Sequence, residues 1–131
     1  MEALSAISVE NVSDNTRSFV LASQGMAVLR SGKGVDKAEI LIDQAVESKA
    51  TAYALESKAR LMGYQAKGDW TSVRTQLQKV FEVDPEYAPA WSLQGDIELR
   101  SLKPEMAEQA YTRAISSSNF RLEDYYKRAL V

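Results

Sequence analysis

The chain is 131 residues long, 45% hydrophobic and 26% charged, with a formal net charge of −2, which fits one compact globular domain or one short repeat array. No block of like charge stands out, so a general attraction to nucleic acid or to an anionic membrane is not expected. With no Cys and no His, disulfides, thiolate metal sites and the commonest general base are excluded.

Residues 1–13 read as an N-terminal arm whose strong apolar residues are Ile7, Val9 and Val12. The arm has neither the basic start nor the apolar run of a signal peptide. No segment approaches the roughly 20 apolar residues that span a bilayer. Ser13, Asp14 and Asn15 each suit a helix N-cap, and a first helix is expected over about 15–30. Ser31-Gly32-Lys33-Gly34 is a turn, because glycine takes positive φ readily. The second helix, over about 35–49, places Asp36 and Glu39 in its first turn, where carboxylates suit the helix dipole. The third, over about 51–67, has the stripe Ala52, Leu55, Ala59, Met62 and Ala66.

Gly68 breaks the chain, Asp69 can cap a new helix, and the fourth helix follows over about 70–83. Asp84 precedes Pro85, which disfavours helical geometry. Pro89 suits the first turn of a fifth helix, over about 89–102, and a sixth is expected over about 104–116. Ser116-Ser117-Ser118-Asn119 is the next break. Residues 120–131 then read as a seventh helix with Tyr125, Tyr126, Ala129 and Leu130 available for packing. No stretch alternates as a strand would.

Three of these helices share one stripe. Ala38, Ile42 and Ala45 are followed 35 positions later by Val73, Leu77 and Val80, and 34 positions after that by Ala107, Tyr111 and Ala114. A period near 34 residues marks a stacked helical array. On these residues the chain resembles the tetratricopeptide-repeat proteins. That family has small, large, small at these places of its second helix. In its first helix a large residue is followed four positions later by Gly or Ala, matched here by Leu21 with Gly25 and by Trp91 with Gly95. Gly68-Asp69-Trp70 matches the family's inter-helix turn and Asp84-Pro85 its repeat boundary. The chain departs from the pattern at Gln94 and Glu98, where larger apolar residues are usual. Ser57 and Leu61 replace the large-then-small pair, and Val73 and Val80 are bulkier than the usual Ala.

The fold this resemblance implies is all-α: an α–α superhelix of three helix pairs within 14–119 (about 17–51, 52–87 and 88–118). Residues 120–131 would cap it or begin a truncated repeat. Trp91 and Tyr111 fall at the family's core positions.

No catalytic constellation accompanies this pattern. Glu82, Asp84 and Glu86 read as solvated charges near a helix end. Glu105 and Glu108 sit in a first turn, where they suit the dipole. Gly32-Lys33-Gly34 lacks the preceding strand and the Gly-Lys-Ser/Thr of a phosphate loop. A non-enzymatic protein without cofactor or metal is expected.

The resemblance implies a concave groove, lined by the first helices, that binds a protein or peptide partner. The positions carried over are Ala22, Met26 and Leu29; Lys58, Met62 and Gln65; and Ser92, Asp96 and Leu99, with Arg100 at the rim. Each trio has i, i+4, i+7 spacing, one helix face. Met26 and Met62 suit an adaptable apolar surface, and the same flexibility suits gap-filling between helices. One subclass of the family grips a chaperone's C-terminal carboxylate with Lys and Asn. Lys58 fits that pattern, but Met62 and Asp96 stand where Asn is needed, so such a clamp is disfavoured.

The rival expectation is a structural segment of a longer array. The Gly-Asp-Trp turn and the Asp-Pro-Glu-Tyr-Ala-Pro-Ala boundary resemble bacterial lipoproteins of polysaccharide export and protein sorting, which would scaffold an envelope assembly. The chain would be cytoplasmic if complete, and periplasmic or outer-membrane-associated if a piece of such a lipoprotein. An apolar strip left uncovered on 120–131, around Tyr126 and Leu130, predicts a homodimer through that helix.

Overall fold

The structure, a computed structural model, describes residues 13–117. All regular structure among them is helical: α1 (Asp14–Ser31), α2 (Val35–Ser48), α3 (Ala52–Gln65), α4 (Thr71–Val83), α5 (Ala88–Arg100) and α6 (Pro104–Ser116). These are the six helices expected over this span. None is long and apolar enough to cross a membrane. Residues 1–12 of the expected arm, the helix expected over 120–131 and the dimer it implies lie outside the described residues, while Ser13, the arm's last residue, caps α1.

The helix ends follow from their capping residues. Ser13 Oγ accepts from the Thr16 N–H at 3.2 Å, and Thr51 Oγ1 from the Ala54 N–H at 3.1 Å. Asp69 accepts from the Thr71 N–H at 3.1 Å, and Asp84 from the Glu86 N–H at 3.0 Å. Each side chain satisfies an N–H that has no partner within a helix. Pro89 lies in the first turn of α5. The α1–α2 turn puts Gly32 in the left-handed region at φ 71°. The α5–α6 turn puts Leu102 there at φ 61°. Leu102 donates to the Leu99 carbonyl at 3.1 Å and Lys103 to the Glu98 carbonyl at 2.9 Å. That pair of bonds closes a helix C-terminus of the Schellman type, in which glycine usually holds the Leu102 position.

The chain divides into two compact units, Met1–Lys67 and Gly68–Val131. The division falls in the turn inside the second expected repeat. In the first unit α1 packs along α2, and α3 packs on both. Met26, Leu29, Ala38, Ile42 and Leu61 form one core cluster, and Ala22, Ala45 and Ala54 another. Gly25 makes the α1–α2 approach possible, since a Cβ there would lie 2.6 Å from Ile42 Cγ1. The buried side of α3 differs from the expected stripe. Ala54, Leu55, Ala59 and Leu61 are buried, whereas Ala52, Met62 and Ala66 are half-buried. The buried positions of α3 therefore cover a wider face than one stripe. Ser57 and Leu61, the inverted pair, are both fully buried.

In the second unit α5 packs against both α4 and α6. Here the large-then-small rule acts through Gly95. A Cβ on it would lie 2.3 Å from Tyr111 Cε1 and 2.4 Å from Cδ1. The Tyr111 ring is fully buried, and its hydroxyl donates to Asp96 at 2.7 Å. All nine residues of the three repeated stripes are at most 1% exposed.

Candidate peptide-binding surface

The residues carried over from the family's groove fall into two groups. Ala22, Met26, Leu29 and Ser92 are buried. Met26 and Leu29 belong to the core cluster of the first unit, so Met26 fills the gap between α1, α2 and α3. The remaining six keep some exposure. On α3, Gln65 is exposed and Met62 and Lys58 are half-buried. Lys58 is held by acids of α2, with Nζ 2.7 Å from Asp43 Oδ1 and 3.8 Å from Glu39 Oε2. On α5, Asp96 is half-buried and accepts the Tyr111 hydroxyl, while Leu99 and Arg100 are exposed. The Arg100 guanidinium stands 5.8 Å from the Trp70 ring. The first unit therefore presents Lys58, Met62 and Gln65 on one face of α3, and the second presents Asp96, Leu99 and Arg100 at the end of α5.

A second constellation, in the second unit, was not anticipated. Glu98 is only 2% exposed. Its Oε1 accepts from Arg74 Nη2 at 2.8 Å, Arg74 Nε at 3.0 Å and Gln94 Nε2 at 3.1 Å, while its Oε2 has no hydrogen-bond partner among the described residues. Arg74 Nη2 also donates to Ser101 Oγ at 3.1 Å. A carboxylate this deep requires a counter-charge, and Arg74 supplies it. Trp91 departs from the core position expected of it and is half-buried. The face it shares with Gln94 and Glu98 is polar, and its ring instead packs flat on Phe81, with centroids 4.2 Å apart and 25° between planes. Its Nε1 donates to the Pro85 carbonyl at 2.8 Å, and Arg113 lies 4.4 Å over the ring. Phe81, Trp91, Glu98, Met106 and Arg113 line a cleft of about 310 Å³. The sequence feature that points toward it is the departure at Gln94 and Glu98, polar where the repeat pattern is apolar. Arg74, 24 residues earlier, carries no signal that spacing could expose.

No protein-family model matches the chain, and no curated protein does. Among solved structures it is similar to the first tetratricopeptide domain of Spaghetti (RPAP3), solved bound to the HSP90 peptide SRMEEVD. The TM-score is 0.72 at 16% identity, covering 90% of this chain and 92% of that one. The likeness is one of fold: the chain has a tetratricopeptide-repeat fold, all-α and built from helix pairs. It lends nothing to the resemblance to bacterial lipoproteins.

Proposed function

We propose that the chain is a non-enzymatic protein-interaction scaffold that binds a peptide or partner helix through exposed faces of its first helices. The observation that carries this reading is the fold likeness, across nine-tenths of the chain, to a domain solved with a peptide in place. Fold does not by itself fix function, so the surface has to supply the specificity. Met62 offers an adaptable apolar contact, flanked on the same face by Lys58 and Gln65. The recognition proposed is apolar in character. A carboxylate clamp is disfavoured because Lys58 is already tied to Asp43 and Glu39, and because Met62 and Asp96 stand at the asparagine places.

The test is a library of labelled 12-residue peptides screened by fluorescence polarisation, with SRMEEVD included as a comparator. The best apolar binder should lose about tenfold or more in affinity on Met62→Glu, since burying an unpaired charge costs a kcal/mol or more. Circular dichroism should show the fold retained. Equal binding by wild type and variant, both folded, would remove the α3 face from the site. Tighter binding of SRMEEVD than of any apolar peptide would overturn the apolar recognition.

A further inference from the structure

The cleft over α5, between α4 and α6, is distinct from the groove residues discussed above. At about 100° per residue, Trp91, Gln94 and Glu98 sit on one face of α5, and Ser92, Asp96 and Leu99 on another. Its volume, about 310 Å³, is at the lower end of the range for ligand pockets. It is amphipathic: Phe81 and Met106 contribute apolar wall, Met106 being half exposed. Gln78 on α4 and Gln109 on α6 bring exposed amides that make no hydrogen bond among the described residues.

Its charge is also defined. The Glu98 carboxylate is neutralised by Arg74. Arg113 lies on Trp91 and has no carboxylate within ion-pair distance among the described residues. Glu86 shares a smaller neighbouring cleft with Arg113 but makes no ion pair with it. Among the described residues the cleft is therefore left with one cation, Arg113, that makes no ion pair. A cationic ligand would meet Arg113 in the lining, where the one carboxylate, Glu98, is already paired with Arg74. An anionic one completes the set.

We propose that this cleft binds an extended peptide segment in which an acidic side chain stands beside a bulky apolar one. The carboxylate pairs with the Arg113 guanidinium, which can present two parallel N–H donors to it. The apolar side chain lies against Phe81 and Met106. The Gln78 and Gln109 amides, one on each wall, supply both donor and acceptor for the backbone of the segment.

The test uses the full 131-residue chain and a fluorescein-labelled, end-capped peptide with one aspartate between two leucines. The same peptide with asparagine is the control. The aspartate peptide should bind at least about tenfold more tightly than the asparagine peptide, the size expected of a charge-assisted hydrogen bond. Arg113→Gln should abolish that preference and leave the asparagine peptide unaffected. Met106→Ala, at a half-exposed position, should weaken both peptides alike. Amide NMR shifts should map to α4, α6 and the Trp91 face of α5. Equal affinity for the two peptides, a preference that survives Arg113→Gln, shifts at Lys58, Met62 and Gln65 instead, or no binding up to millimolar peptide would each overturn the proposal. Met62 is not part of this cleft, so the α3-face reading and this one fail separately.

Discussion

Of the glycines, Gly95 is the one where an added Cβ would come nearest to a neighbour, and Gly95→Ala measures how rigid that packing is. The added Cβ would meet three Tyr111 ring atoms at 2.3, 2.4 and 2.8 Å. Restoring an ordinary 3.4 Å contact to the nearest atom requires the ring to retreat by about 1 Å. The ring has little freedom to do so. It is fully buried, and its hydroxyl is held on Asp96 at 2.7 Å. Overpacking of this kind costs about 1–3 kcal/mol, and three simultaneous overlaps place it near the top of that range. The gain in helix propensity from Gly to Ala returns about 1 kcal/mol. The expected net loss is about 1–2 kcal/mol. Gly63, inside α3, is the internal control, because a Cβ there meets nothing within 4 Å. Gly63→Ala should gain the propensity term alone and stabilise by about 0.5–1 kcal/mol. Urea unfolding followed by far-UV circular dichroism compares the two. If Gly95→Ala proves as stable as Gly63→Ala, α5 and α6 are not in the close contact described, and the reasoning fails.

Arg74→Ala should destabilise by about 2–4 kcal/mol, because it leaves the Glu98 carboxylate buried without its cation; partial exposure of Arg74, 35%, keeps the loss below that of a fully buried pair. The double replacement Arg74→Met with Glu98→Leu should recover most of that loss, and a double variant no better than Arg74→Ala in urea titration would mean the pair is not the source. Leu102→Gly should stabilise by about 0.5–1 kcal/mol, since the left-handed conformation costs a non-glycine residue about 1–2 kcal/mol and glycine returns part of that in entropy. Leu102 is 87% exposed, so no packing is lost with it, and an unchanged or lowered thermal midpoint would count against strain at this turn.

The second helices were the most legible part of the sequence. Each buries one narrow stripe, so Ala38-Ile42-Ala45 and its two copies stand out by spacing alone. The first helices were harder to read. α3 and α5 each bury six positions that do not fall on one stripe, and a helix buried over a broad arc shows no clean period. That is why the expected face of α3 was rotated, with Leu61 buried and Met62 half-buried. Trp91 was misplaced for a related reason. A large aromatic reads as core, yet its partners along the helix, Gln94 and Glu98, are polar, and the ring packs sideways on Phe81. Of the groove residues carried over, Met26 and Leu29 are core because α1 turns that face onto α2 and α3. The cleft of α4–α6 brings Phe81, Glu98 and Arg113 together from three helices, with Arg74 paired to Glu98 behind them, and no local pattern encodes such a meeting.

Both tryptophans of the chain, Trp70 and Trp91, belong to the second unit. Their intrinsic emission therefore originates in the second unit, while backbone ellipticity sums the helices of both. Arrays stabilised by nearest-neighbour contacts can come apart stepwise, and this chain carries an optical marker on one half without any label. Melting curves that superimpose in the two signals describe one cooperative block. Curves that separate give the order in which the halves open, and the sign of the offset names the weaker one.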